Sequence, residues 1–184
     1  TQQKYKNIVT DKAQIQISKP FGPSIAKVTI PQELVDTLNN YVDKIITDEK
    51  KSKELDHGDK LAGNVKQEFQ IEQSFLESSG FLKFLGLSVA NWIKFSGKQE
   101  IKNFNIRSSW IVRQFKDEYN PIHWHSGHVS GVGYLKVPKT FGETSQNNKT
   151  VNNNGKLEMI HGSKAFLCKP TFRVTPRVGD FYFF

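Results

Sequence analysis

The chain reads as an α+β domain, with helices packed on an antiparallel sheet or jelly roll. Three observations predict this. Apolar residues recur at helical spacing over 32–47 and again near 66–95. From Lys102 onward the period drops to two, the signature of strands. The helical patterns come first and the strand patterns second, which is the grouping of an α+β domain rather than of alternating βαβ units.

At the start, Ile15 and Ile17 alternate with Gln. Lys19, Pro20, Phe21, Gly22 and Pro23 break the pattern, and Ile25, Val28 and Ile30 resume it. This predicts short strands around a turn. Pro31 suits the first turn of a helix. Leu34, Val35, Leu38, Tyr41, Val42, Ile45 and Ile46 then mark a buried face over 32–47. Residues 48–65 are charged and punctuated by Gly, so a loop is expected. Phe69, Phe75 and Leu76, then Leu82, Leu85, Val89, Trp92 and Ile93, predict two helices within 66–95, split at Ser78, Ser79 and Gly80.

Phe104, Ile106, Trp110 and Val112 alternate within FNIRSSWIVRQF. Further strands are expected at 129–137, 156–161, 165–168, 171–174 and 180–184. Residues 1–184 are read as one domain, with 1–100 as mainly helical support and 101–184 as jelly-roll strands. GETSQNNKTVNNNG (142–155) holds five Asn and a single aliphatic residue, Val151. Such a segment buries too little apolar surface to offset its ordering entropy, so a mobile surface loop is expected there.

With 184 residues, 36% of them hydrophobic, the composition is that of a globular chain with a core. The longest apolar run is interrupted by Lys83, Gly86 and Asn91, so no membrane span is expected. The first residues have no apolar stretch of signal-peptide type. Cys168 is the single cysteine, so no internal disulfide can form. These features point to a soluble protein of a reducing compartment, hence a cytoplasmic one. The formal charge is +8, but the lysines are scattered and interleaved with acids in DEKKSKELDHGDK. That is a solvated basic surface rather than a stripe built for nucleic acid, so no nucleic-acid partner is expected.

The candidate chemistry lies in NPIHWHSGHVSGVGYLKVP, residues 120–138. In an extended segment, residues i and i+2 project to one side. His123 and His125 therefore share a face, close enough to bind one metal ion, and neutral imidazole suits Fe, Zn, Ni or Cu. Pro121 stiffens the approach and Gly127 lets the chain turn away. His128 faces away on a continuous strand, although it remains an alternative second ligand. A pair that is merely polar is the competing reading. His57, in the charged loop, and His161 and Glu158, around a later strand, are weaker third donors.

Taken whole, WIVRQFKDEYNPIHWHSGHVSGVGYLKVP resembles the iron- and 2-oxoglutarate-dependent oxygenases. More narrowly it is similar to the prolyl-4-hydroxylase-like members encoded by marine phages and bacteria, in which HxH stands where the wider superfamily has HxD. The SGVGYL strand, KPFGPSIAKVTIP, LDHGDKLAGNVKQE and VTPRVGDFYFF fit the same group in the same order. The resemblance implies a double-stranded β-helix (jelly roll) with N-terminal helices packed on the sheet. It implies Fe(II) and 2-oxoglutarate as cofactors, O2 as cosubstrate and ascorbate as a reductant. The reaction it implies is hydroxylation of a prolyl residue in a peptide or protein, with release of succinate and CO2. By the same resemblance, His123 and His125 are the metal ligands, Tyr134 reaches the far carboxylate of 2-oxoglutarate, and Arg113 lies near the cosubstrate pocket. A phage-encoded enzyme of this kind would act in the cytoplasm of the host cell.

In that group the third iron ligand and a basic residue for 2-oxoglutarate follow the GDFYFF strand. Both are therefore expected after Phe184, with the 184 residues a fragment whose C-terminal strands are missing. Two other readings stay open. One is a non-catalytic jelly-roll binding or structural module of phage type. The other is a cupin-type metalloenzyme, which would want a glutamate where Val129 and Ser130 stand. The oligomeric state is not legible in the sequence.

Overall fold

The structure is a computed structural model that describes residues 22–144 and 148–184. The strands expected around Ile15 and Ile17, and the Lys19–Phe21 turn, lie outside the described residues, as do Ser145, Gln146 and Asn147.

The element order is β1 (Ala26–Thr29), α1 (Gln32–Thr47), α2 (Glu49–Glu54), a 3₁₀ turn (Gly58–Lys60), β2 (Gln67–Gln70), α3 (Gln73–Ser78), α4 (Phe81–Gly97), β3 (Trp110–Arg113), β4 (Gly131–Gly133), β5 (Leu157–Ile160), β6 (Thr171–Val174) and β7 (Asp180–Phe183). All four pairings among these strands are antiparallel, in three sheets: β1-β7-β4, β2-β3 and β5-β6. This is a mixed α/β fold with antiparallel sheets. Among the described residues no helix is long and apolar enough to cross a membrane.

Helix α1 has the bounds its periodicity predicts. Val35, Leu38, Tyr41, Val42 and Ile45 are its buried face. Gly80, at φ 80°, separates α3 from α4, and Phe81, Leu85 and Val89 turn α4 into the same core. β7 lies opposite. Phe181 and Phe183 enter the core, and Phe181 meets Phe81 and Phe84 edge-on at centroid separations of 6.2 and 6.5 Å.

The glycines of the SGVGYL stretch follow from this packing. A methyl on Gly133 would fall 2.4 Å from the Phe181 ring, and one on Gly131 2.6 Å from it. β4 runs beside β7 with no side chain on that face, so the Phe181 ring occupies the space a β-carbon would need.

Several expectations are corrected. The strand expected around Ile25, Val28 and Ile30 is β1, paired with β7, but the expected order of helices before strands is broken by β2, which pairs with β3. Phe69 lies on β2 rather than on a helix. Its single large side chain fits either period, and ladder pairing with Ile111 decides between them. Part of the loop expected over 48–65 is helix α2. Asp48 caps it by accepting from Lys51 N at 3.0 Å, and Glu49 pairs with Lys53 at 2.7 Å. That helix has no buried residue, so hydrophobic periodicity could not reveal it. Phe104 and Ile106 pack against the core outside any strand. The strand expected at 165–168 is a turn closed by an Ala165–Cys168 bridge. The strand expected over 129–137 is regular only at 131–133.

Candidate functional site

His123 and His125 sit on an extended, exposed segment between β3 and β4, outside any regular strand. The alternation expected of a strand nevertheless holds. Ile122 and Trp124 point to solvent, 84% and 91% exposed, while the two imidazoles turn the other way and meet. Their ring centroids are 4.8 Å apart and their planes within 20°.

His123 Nδ1 lies 2.7 Å from the Pro121 carbonyl oxygen. A carbonyl only accepts, so Nδ1 carries the hydrogen and the lone pair of the neutral ring is left on Nε2. That Nε2 faces His125 Nε2 at 2.8 Å. The His125 ring lies between Trp110 and Phe184, each at a centroid distance of 6.1 Å. Although much of the residue is exposed, this ring environment removes water. Burial first, and the neighbouring His123 second, hold its pKa below the ordinary histidine value. That shift favours the neutral form of His125, the form in which imidazole donates to a metal.

Behind Trp110 lies a third imidazole. His57, 9% exposed, is 6.3 Å from the indole, so His57, Trp110, His125 and His123 form one file of rings. Sequence reasoning placed His57 in a charged loop and missed its burial. The short β2-β3 ladder, invisible as periodicity, brings it there.

Tyr134 continues the β4-β7 ladder, its amide donating to Asp180 O at 3.0 Å. It is partly buried. Burial, followed by Tyr182 and Asp180, pushes its pKa up to about 12, so the hydroxyl stays protonated. Strand alternation puts Phe184 and Tyr182 on one face of β7, opposite Phe181 and Phe183. Tyr134 is therefore associated with the face that carries the His125 contact.

Arg113 is placed differently. On β3 it alternates with Trp110 and Val112 to the other side, its guanidinium donates to Gln67 Oε1, and it lies over the Phe115 ring at 5.2 Å. His128 and His161 are exposed and do not join the pair. A separate concavity at the α1–α2 junction, lined by Thr47, Asp48, Glu49, Lys50 and Lys53, holds none of these residues.

Residues 108–184 match the sequence model of a family described as "Putative 2OG-Fe(II) oxygenase". The matched stretch is under half of the chain and contains β3, both histidines, Tyr134 and β7. The match supports the 2-oxoglutarate- and iron-dependent oxygenase superfamily, whose cofactors are Fe(II) and 2-oxoglutarate. No curated protein and no solved structure matches the chain.

The histidine pair fits such a metal. Two imidazole nitrogens about 2.1 Å from one ion, at a right angle, stand ~3 Å apart. The observed Nε2–Nε2 separation is 2.8 Å. The Pro121 carbonyl supplies the second hydrogen bond that ligating histidines ordinarily make. Among the described residues, no group of three or more His, Cys, Asp or Glu side chains is arranged to hold a metal ion.

Proposed function

We propose that this chain is an Fe(II)- and 2-oxoglutarate-dependent dioxygenase of the prolyl-4-hydroxylase-like type, similar to those encoded by marine phages. It hydroxylates a prolyl residue in a peptide or protein. The observation that carries the reading is the convergence of His123 and His125 within the family-matched stretch. His123 is oriented by Pro121, and the His125 ring, its pKa lowered by burial, lies near Trp110 and Phe184. These two residues hold the iron. Bound iron and 2-oxoglutarate supply the oxidation of an unactivated C–H bond, with succinate and CO2 as coproducts.

The protein's own part is to bind and orient. Tyr134, protonated at any physiological pH, donates to the distal carboxylate of 2-oxoglutarate. Arg113, tied to Gln67, supports the strand from its other face rather than entering the cosubstrate site. The frame is a single domain, 1–184, built as a double-stranded β-helix with the N-terminal helices packed on it. It acts in the cytoplasm, of the host cell for a phage-encoded enzyme.

The test is succinate release, followed by NMR, from the full-length protein with Fe(II), ascorbate, O2 and 2-oxoglutarate. Turnover that is stimulated by proline-containing peptides and abolished by a chelator is expected. Turnover indifferent to every proline peptide would remove the prolyl substrate and leave the oxygenase. No succinate under any condition would remove both.

A further inference from the structure

The chain carries a buried carboxylate that the oxygenase reading does not use. Glu68, on β2, is 1% exposed, and neither of its carboxylate oxygens has a hydrogen-bond partner. Side-chain oxygens of Asn120 and Asp56 share the space beside it. At one side, a methyl built on Gly63 would fall 2.8 Å from Glu68 Oε1 and 2.5 Å from Asn120 Oδ1, so both oxygens border the space a β-carbon there would take. At the other, a methyl on Gly58 would fall 3.7 Å from Glu68 Oε2 and 3.4 Å from Asp56 Oδ1. Glu118 stands nearby, its carboxylate accepting from Phe115 N at 2.8 Å and Lys66 N at 3.3 Å. Burial first, then the charges of Asp56 and Glu118, raise the carboxyl pKa of Glu68. An unpartnered buried acid costs stability, so its retention calls for a ligand or a proton.

We propose that Glu68, Asp56 and Asn120 form a site for a hard divalent cation, Ca²⁺ or Mg²⁺, separate from the histidine pair. The donor set is all oxygen, which selects such ions over the metals that imidazole prefers. Glu68 Oε1 and Asn120 Oδ1 both lie within 2.8 Å of one point beside Gly63, so a small shift lets one ion, with ligand distances of about 2.3–2.6 Å, bridge them. Asp56 and Asn120 are exposed, so the ion enters from solvent while Glu68 forms the floor. Remaining positions are filled by water, as is usual for these ions.

The site has a structural consequence. Asn64 N donates to Tyr119 O at 2.8 Å, and His57 N to Glu68 O at 2.8 Å. The ion therefore ties the 55–64 loop and β2 to Asn120, the residue before Pro121, whose carbonyl orients His123. It pins the base of the segment that presents the histidines.

The experiment uses the full-length protein stripped of metal. CaCl₂ and MgCl₂ are titrated at constant ionic strength, following the thermal midpoint and the heat of binding. Wild type and the His123→Ala/His125→Ala double variant should both bind one ion per chain saturably and melt at higher temperature, because the site owes nothing to the histidines. Glu68→Gln and Asp56→Asn should each weaken binding about tenfold or more. Metal-free Glu68→Gln should melt above metal-free wild type near neutral pH. If Glu68→Gln does not fold, exposed Asp56→Asn decides the question alone. The absence of a saturable response in wild type would overturn the site. It would mean that Asn120 presents its amide to Glu68, or that Glu68 is simply protonated. An undiminished response in the variants would overturn it equally, by placing the ion elsewhere on the acidic surface.

Discussion

β7 and the histidine segment touch, since the His125 ring lies against Phe184, yet they are held in opposite ways. Asp180, Phe181, Tyr182 and Phe183 are all buried, with β1 on one side and β4 on the other. Residues 120–128 are all exposed and lie outside any ladder. What fixes the strand is packing. What fixes the segment is a few directed contacts: the Pro121 carbonyl on His123, the rings around His125, and the positive φ of Gly127. A binding segment needs reachable ligand atoms, which burial would forbid. Its rigidity has to be borrowed from a neighbouring core.

Substitutions in the two regions should therefore differ sharply. Phe181→Ala should lower stability by about 3–5 kcal/mol in denaturant unfolding, whereas Trp124→Ala should change it by no more than ~0.5 kcal/mol. Equal losses would mean that the segment packs as the strand does. Next in size, Gly133→Ala should cost about 1–3 kcal/mol, because its methyl meets the Phe181 ring. Phe181→Leu should recover part of that loss in the double variant, and strict additivity would show that the contact is not the cause.

Tyr134→Phe separates binding from folding. It should leave the melting curve in place but weaken 2-oxoglutarate by about 1.5–3 kcal/mol, read by calorimetry. Unchanged affinity would take Tyr134 out of the site. The smallest effect concerns the core's polar seam, where Glu72 joins Lys51 at 2.9 Å and accepts from the Tyr41 hydroxyl at 3.0 Å. Lys51 chiefly, with Tyr41, holds the Glu72 carboxyl below its ordinary value. A depressed folded pKa contributes stability above the unfolded value that is lost as pH falls through the folded one. The pair is partly exposed, so the gap between wild type and Glu72→Gln should be ~1 kcal/mol or less at pH 7 and close on acidification. A gap that widened with acid would reverse the assignment.

The difference between the regions also governs what the sequence discloses. Helix α1 and β7 are legible because burial forces a period, seen at Val35, Leu38, Val42 and Ile45 and in the apolar run Phe181–Phe184. The histidine pair is legible because i and i+2 share a side even without a ladder. Helix α2 is not, since its stability rests on the Asp48 cap and the Glu49–Lys53 pair rather than on an apolar face. β2 is not, since four residues holding one aromatic carry too little pattern to separate strand from helix. Its partner, β3, is 40 residues further along the chain. The ring file from His57 to His125 and the unpartnered Glu68 both hang on that ladder, so neither could be read before it was seen.

The most direct test of the site is a calorimetric titration of Mn(II), standing in for Fe(II), into full-length wild type, His123→Ala and His125→Ala, at fixed pH and free of oxygen. With excess CaCl₂ present to fill the oxygen-donor site at Glu68, the account predicts one saturable Mn(II) in wild type and a large loss of affinity in each variant, with melting temperatures of the metal-free proteins unchanged because the segment is exposed. Wild-type affinity in both variants would contradict it. Wild-type affinity in His125→Ala alone would show that His123 works with another partner.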